Sequence, residues 1–158
     1  MAAFRLTSPA FDHDGKLPYR YTAAGEDVSP PLRWEGTPEG TKELALVCDD
    51  PDAEAGVLTH WVTYGIAPDV TELPEGIPPD AIVDEPVELV QGLNEFDRSG
   101  YSGPLPPEDE DRGPHRYFFR LFALDIELVN VPPGVTWAEL RRAAKGHIIG
   151  QALLVGIA

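Results

Sequence analysis

Three stretches of the sequence combine apolar, β-branched and aromatic residues in the short runs that are typical of β-strands. They cover residues 43–50, 60–66 and 115–124. Because strand side chains alternate between two faces, each run predicts one apolar stripe. The predicted stripes are Leu44, Leu46, Cys48 and Asp50 in the first run, His60, Val62, Tyr64 and Ile66 in the second, and His115, Tyr117, Phe119 and Leu121 in the third.

Each predicted stripe ends in an ionisable residue beside a loop. If the first two runs are antiparallel neighbours, Asp50 and His60 lie at the same end of the sheet. The third run adds His115 and Tyr117 next to a proline-rich loop, and its arginines point to the opposite face. The sequence therefore predicts a polar site at one end of a sheet. The alternative is that these polar strand ends simply meet water.

The remainder of the chain predicts short strands and one helix. Thr136 and Glu139 form a capping box, so a helix is expected over residues 138–145, with Gly146 as its stop. Residues 147–152 can resume the helix, and residues 153–157 form a last strand. The many short strands, with 17 prolines and 15 glycines, predict an all-β sandwich or barrel with a small C-terminal helical addition. The length of 158 residues predicts a single domain, residues 1–158.

The chain is strongly acidic, with a net charge of −15. Nucleic acids and anionic membrane surfaces would repel it, so both are excluded as partners. Only three lysines stand against nine arginines, and the acidic residues are spread along the whole chain. This pattern is typical of salt-adapted proteins, although an ordinary acidic protein is the alternative.

Salt adaptation leads to a measurable expectation. At low ionic strength carboxylates repel one another over about 30 Å, whereas molar salt shortens that range to about 3 Å. We expect the melting temperature to rise from low salt to molar KCl. A flat or falling curve would contradict salt adaptation.

The single cysteine and the apolar segments restrict the expected chemistry and the expected cellular location. Cys48 is the only cysteine, so neither an internal disulfide nor a cysteine-based zinc site is expected. The N-terminal residues lack an apolar signal core, and the longest apolar run, residues 148–158, is too short to span a bilayer. We therefore expect a cytoplasmic protein without membrane insertion. The acidic run 108–111 is expected to be a solvated loop tip.

Five motifs in order give the chain a family resemblance. They are Ser-Pro-Pro-Leu-Arg-Trp at 29–34, Asp-Asp-Pro-Asp-Ala at 49–53, His-Trp-Val at 60–62, Gly-Tyr-Ser-Gly-Pro-Leu-Pro-Pro at 100–107 and His-Arg-Tyr at 115–117. In this order they resemble the phosphatidylethanolamine-binding protein family, and especially its prokaryotic branch, the Raf kinase inhibitor-like proteins. The resemblance implies a Greek-key antiparallel β-sandwich with a small anion-accepting cavity at one end.

The resemblance also implies roles for individual residues. The ligand-binding residues it implies are Asp50, His60, Gly103, Pro104, Leu105, His115 and Tyr117, and the supporting residues are Asp52, Trp61 and Pro106. Asp52 is expected to brace its loop. The implied function is a binding module for a phosphate or carboxylate head group, without turnover, cofactor or metal. Prokaryotic members are often dimers, so a homodimer is an open expectation, and the family name suggests inhibition of a kinase or protease through an unknown protein partner.

Two alternatives use the same residues. Asp50 and His60 could form a hydrolase triad with Ser102 as the nucleophile, although no Gly-x-Ser-x-Gly motif surrounds that serine. His60, His115 and Asp50 are also a two-histidine, one-carboxylate set of the kind that binds a single metal ion.

Overall fold

The computed structural model describes residues 3–105 and 113–158. Pro106 and the acidic run 108–111, both singled out in the sequence, lie outside the described residues. Within them the backbone forms ten strands, a 3-10 turn at Tyr19–Tyr21 and one α-helix, α1, at Trp137–Ala144. The strands are β1 Arg5–Thr7, β2 Gly15–Lys16, β3 Leu32–Glu35, β4 Glu43–Asp50, β5 Leu58–Ile66, β6 Glu72–Leu73, β7 Ile82–Val83, β8 Leu89–Gln91, β9 Arg116–Leu124 and β10 Ile148–Ile157.

The strands form two sheets. A three-stranded sheet has the order β1-β3-β6, and a seven-stranded sheet has the order β2-β10-β9-β4-β5-β8-β7. The predicted strand-rich fold with one short helix is confirmed. Pairing is antiparallel except between β2 and β10, which run parallel. This two-residue pairing departs from the predicted antiparallel sandwich, because β2 and β10 are far apart in the chain and no hairpin sets their relative direction. The Greek-key connectivity stays a prediction.

The large sheet is covered on both faces. One face shares a core cluster with the small sheet, formed by residues such as Leu6, Trp34, Leu46, Phe119 and Leu121. The opposite face packs under α1 in a second cluster that includes Val47, Val62, Tyr64, Phe122 and Leu140. All eight residues of β4 are buried as a result, since this strand lies centrally between two covered faces.

Strand β5 departs from the predicted alternation. Cys48 pairs with Trp61 while Asp49 pairs with Thr59, so His60 is an extra residue in a β-bulge. A second irregularity lies near Gly65, whose φ is +70°. The single predicted stripe of His60, Val62, Tyr64 and Ile66 is therefore wrong. Val62 and Tyr64 belong to the cluster under α1, while Ile66 belongs to the core between the sheets.

Helix α1 begins at the predicted capping box. The Thr136 hydroxyl accepts a hydrogen bond from the Glu139 N–H at 3.3 Å, and the Glu139 carboxylate accepts one from the Thr136 N–H at 3.4 Å. After Gly146, at a φ of +82°, the chain does not resume a helix as expected but enters β10. Among the described residues, no helix has the length and the apolar character needed to cross a membrane.

We expect Thr136→Ala to lower the free energy of unfolding by about 1 kcal/mol, because it leaves a helix N–H without its partner. Urea denaturation measures the change. The neighbouring exposed Ala138, replaced by serine, serves as a control that leaves the cap in place. An unchanged midpoint for Thr136→Ala would show that the cap contributes nothing.

Candidate functional site

The carboxylate of Asp50, the last residue of β4, lies at the centre of the candidate site. Asp50 is 2% exposed. One of its oxygens contacts Nδ1 of His115 at 2.7 Å, and the other accepts a hydrogen bond from the Asp52 N–H at 2.8 Å. Tyr117 also interacts with this carboxylate through its hydroxyl. The ends of β4 and β9 are thus joined by the side chains that the sequence singled out.

Asp52 holds the loop after β4 against the start of β9. Its carboxylate accepts hydrogen bonds from the backbone N–H, the Nε and the Nη2 of Arg116, each at 2.9 Å. These bonds lower the pKa of Asp52 to about 2. The contacts match the bracing role expected for Asp52, and they fix the position of His115, the preceding residue.

His60 lies deeper, beside Tyr117. Its Nδ1–H donates to the carbonyl oxygen of Ser102 at 2.7 Å, so the other ring nitrogen, Nε2, is the acceptor in the neutral ring. That Nε2 is buried and has no hydrogen-bond partner among the described residues. The ring meets Tyr117 and Phe96 edge-on, at centroid distances of 5.2 and 5.1 Å.

Burial lowers the pKa of His60, which favours the neutral ring. In the unfolded chain the same histidine takes up a proton below a pH of about 6.5. The unfolded state therefore binds more protons than the folded state as the pH falls. Because of His60, the free energy of unfolding therefore decreases at acidic pH.

Tyr117 connects the two histidines. It lies on the same face of β9 as Phe119 and Leu121 and is almost fully buried. Burial, followed by the charge of Asp50, raises its pKa well above the ordinary value of a phenol. The hydroxyl is therefore neutral and available as a hydrogen-bond donor. Contacts thus run from His60 through Tyr117 to Asp50 and His115.

The loop of residues 101–105 forms a wall beside this cluster. The Gly103 N–H donates to Asp27 at 2.6 Å, and the Pro104 carbonyl accepts from Ala23 at 2.8 Å. A Cβ on Gly103 would lie 2.2 Å from the Tyr21 carbonyl oxygen, so this position requires glycine. Leu105 differs from its neighbours, because 56% of it is exposed.

Trp61 supports the site from the core. It is fully buried, its Nε1–H donates to Gln91 at 2.8 Å, and its ring meets Tyr101 edge-on at 5.6 Å. Tyr101 in turn donates its hydroxyl to the Tyr21 carbonyl at 2.6 Å. Packing of Trp61 therefore positions both strand β5 and the loop of residues 101–105.

The geometry does not form the hydrolase triad considered from the sequence. The His60 Nδ1–H bonds the Ser102 backbone and not Asp50, whose carboxylate contacts His115 instead. The Ser102 hydroxyl oxygen accepts a hydrogen bond from Asn94 at 2.9 Å. The metal alternative also lacks support, since residues 3–105 and 113–158 contain no group of three His, Cys, Asp or Glu side chains placed to hold an ion.

Three contributors escaped the sequence analysis. Phe96 covers one edge of His60, Asn94 holds Ser102, and Asp27 anchors Gly103. All three lie in irregular segments, where no periodicity shows which way a side chain points. Asp27 alone could have been suggested by its residue type. Its φ is +56°, and aspartate adopts a positive φ more readily than most residues.

The family model for phosphatidylethanolamine-binding protein matches residues 7–158. The chain belongs to the phosphatidylethanolamine-binding protein family. This assignment confirms the resemblance that the five motifs carried.

Relatives in archaea and bacteria agree with this assignment. A UPF0098 protein from Methanothermobacter thermautotrophicus is 47% identical over 152 residues, covering 96% of each chain. One from Pyrococcus abyssi is 47% identical over 150 residues, covering 95% of this chain and 82% of that protein.

Solved structures show the same fold. A protein described as a phosphatidylethanolamine-binding protein homologue, CT736 from Chlamydia trachomatis, superposes with a TM-score of 0.87 at 37% identity, covering 100% of this chain and 98% of that one. Escherichia coli YbcL, described as a new member of the mammalian family, gives a TM-score of 0.87 at 31% identity, covering 99% and 98%.

Proposed function

We propose that this protein is a binding module for a small ligand that carries a phosphate or carboxylate group. The observation that supports it most directly is the contact series from His60 through Tyr117 to Asp50 and His115. The strand-end histidine His115 is about a quarter exposed at its side chain, whereas Asp50 beneath it is buried. His115 is therefore the group that a ligand meets first.

The hydrogen-bonding groups of the site define the ligand further. When the His115 ring is protonated, its Nδ1–H donates to the Asp50 carboxylate and its Nε2–H can donate to a ligand oxygen. With Nδ1–H of His60 on the Ser102 carbonyl, its Nε2 can only accept. A ligand that satisfies both must offer an acceptor and a donor together. The monoanion of a phosphate monoester, which keeps one O–H, meets this requirement, whereas a carboxylate or a sulfate dianion satisfies only His115.

The site is held in shape before a ligand arrives. Arg116 fixes Asp52, Asp27 fixes Gly103, and Ser102 fixes His60. A preformed site loses little conformational entropy on binding, which favours recognition of a small ligand. Since neither histidine contacts a hydroxyl or thiol nucleophile in these hydrogen bonds, the proposal is for binding without turnover.

NMR titration tests this proposal. Inorganic phosphate and phosphoethanolamine are added at pH 6 to 8, while the ring protons of His60 and His115 are followed, with sulfate and acetate as matched anions that lack a donor. We expect phosphate to shift both rings and sulfate to bind more weakly. Binding should weaken as the pH rises through the histidine range, because the imidazole loses a proton. The effect should be larger for phosphoethanolamine, whose dianion has no phosphate O–H, than for inorganic phosphate, whose dianion keeps one.

Two results would contradict the proposal. One is the absence of a response in both histidine rings to every ligand. The other is an equal affinity for phosphate and sulfate, which would show that the His60 acceptor is not used. Hydrolysis of phosphoethanolamine during the titration, visible in phosphorus spectra, would contradict the binding-only role.

A further inference from the structure

A groove, here called the α1 groove, lies between Trp137 of α1, Arg120 of β9 and Val57 in the loop before β5. Helix α1 has eight residues and β9 has nine, so the helix is about 12 Å long and the strand about 30 Å. The helix is therefore too short to cover the whole of its face of the large sheet. The groove has a volume of about 570 Å³, which lies within the range of small-molecule binding sites.

The α1 groove is separate from the site around Asp50. Asp49 lines the groove, and successive residues of a strand face opposite sides of the sheet. Phe122 also lines it and belongs to the cluster under α1. Neither His60 nor His115 contributes to its lining. A ligand in the groove therefore meets a different set of side chains.

Arg120 has hydrogen-bond donors to spare in this groove. Its Nε–H donates to one oxygen of Asp49 at 2.8 Å, and its Nη2 contacts the other oxygen at 3.4 Å. Asp49 is buried, whereas 26% of the Arg120 side chain is exposed. A guanidinium carries five N–H donors in one plane. Its end, formed by Nη1 and the second Nη2 proton, has no partner among the described residues and can bind a carboxylate in a bidentate manner.

Helix α1 adds a second guanidinium and an aromatic ring. Trp137 stacks on Phe122 at a centroid distance of 5.4 Å, and the Arg141 guanidinium lies 6.0 Å from the centroid of the Trp137 ring. Arg141 is exposed and forms no ion pair within residues 3–105 and 113–158. Val57 and Ile148 line the same groove and are 59% and 40% exposed. The groove thus combines positive groups with an apolar surface.

The acidic groups of the groove limit the charge of a ligand. Asp49 is paired with Arg120, and the Glu95 carboxylate accepts a hydrogen bond from the Thr59 N–H at 2.5 Å. In the lining, two arginines balance one aspartate and one glutamate, while the whole chain carries a net charge of −15. A dianion is repelled by such a chain more strongly than a monoanion. An anionic ligand of this groove should therefore carry a single charge.

We propose that the α1 groove binds a small organic monoanion that consists of one carboxylate on an apolar body. The carboxylate contacts the free end of Arg120, and the apolar body packs against Trp137 and its apolar neighbours. Arg141 adds positive potential at the rim. This site goes beyond the function proposed above, because it uses none of the residues around Asp50.

Tryptophan fluorescence of the full chain tests this proposal. Trp137 is half-buried and reports on the groove, whereas Trp34 and Trp61 are buried. The probes are 4-phenylbutyrate, 4-phenylbutanol and 4-phenylbutylamine, which share one apolar body and differ in charge. We expect the carboxylate to bind about tenfold more tightly than the alcohol or the amine, because only the carboxylate accepts the bidentate hydrogen bonds.

NMR spectra locate the bound probe. Phenylbutyrate should shift the Nε–H signal of Arg120 and the indole N–H signal of Trp137. The ring protons of His60 and His115 report on the other site, so the failure of one site is distinguishable from the failure of the other.

Two neighbouring arginines of α1 provide matched variants. Arg141 lines the groove and Arg142 does not, although both are exposed. Arg141→Gln should weaken phenylbutyrate binding by about fivefold, and Arg142→Gln should leave it unchanged. Arg120→Lys keeps a cation beside Asp49 but lacks the planar fork, so it should weaken binding by about tenfold or more. A thermal melt confirms that each variant folds, and the comparison of Arg141 with Arg142 stands without the Arg120 variant.

Four results would overturn the proposal. The first is no binding of phenylbutyrate at millimolar concentration, and the second is an equal affinity for all three probes. The third is an equal loss of affinity in Arg141→Gln and Arg142→Gln, which would indicate a general effect of charge. The fourth is an NMR response confined to the histidine rings, which would place the probe in the site around Asp50.

Discussion

Replacing His115 with alanine is expected to abolish measurable phosphate binding while the protein remains folded. His115 supplies the Nε2–H that we assign to the ligand, and a hydrogen bond to a charged group contributes about 1.5–3 kcal/mol. Its loss corresponds to a decrease in affinity of roughly tenfold to more than a hundredfold. Asp50 keeps its hydrogen bond from the Asp52 N–H and its contact with Tyr117, so the fold survives. Isothermal titration calorimetry with phosphate measures the loss.

The chain contains a closely matched control. His147 also pairs through Nδ1 with an aspartate, Asp125, at 2.9 Å, but both side chains are more than 40% exposed and lie at the opposite end of β9 from His115. His147→Ala removes the same type of histidine–aspartate pair and should leave phosphate affinity unchanged. Equal effects of the two variants would indicate a general electrostatic contribution and not a site at His115.

Replacing Trp61 with alanine is expected to produce the largest loss of stability. Trp61 is fully buried, and its removal leaves a large cavity and an unpaired Gln91 oxygen. Substitutions of this kind cost about 3–5 kcal/mol. Guanidinium denaturation should show a much lower midpoint with an unchanged slope.

Trp137 provides the comparison for this variant. It is only half-buried, stacking on Phe122 at a centroid distance of 5.4 Å. Trp137→Ala should therefore cost clearly less than Trp61→Ala. Similar costs for both would show that Trp61 does not support the core as the structure indicates.

The alternation along β9 was predictable from the sequence, and the alternation along β5 was not. In β9, Tyr117, Phe119 and Leu121 face the core between the sheets as their spacing predicts. In β5, the bulge at His60 and the irregularity near Gly65 each change the face of the residues that follow. A bulge depends on the fit to the neighbouring strands, and a single sequence carries little information on that fit.

The partner of Asp50 could not be read from the sequence either. The spacing placed Asp50 and His60 at one end of the sheet, but only the strand order decides which side chains meet. Because β4 lies between β5 and β9, its terminal carboxylate can face either neighbour, and it contacts His115. The binding role of these residues remains a prediction, although the structure brings them together.

The start of strand β10 was predicted incorrectly from the sequence for a different reason. Residues 147–152 follow a helix and contain apolar residues that suit either structure, so the sequence allowed the helix to continue. The structure instead places Ile148 opposite Leu124 at the start of a long pairing with β9. Tertiary pairing over ten residues outweighs the modest helix propensity of such a short segment.

The contact between Asp50 and His115 has a consequence for the order of events in folding. The two residues are 65 positions apart, and they meet only after β4 has paired with β9. Pairing over such a separation is slow compared with the formation of α1 or of the β4–β5 hairpin. In a refolding experiment, recovery of ligand binding should therefore lag behind recovery of the helical signal, and its time course would report when β4 and β9 come together.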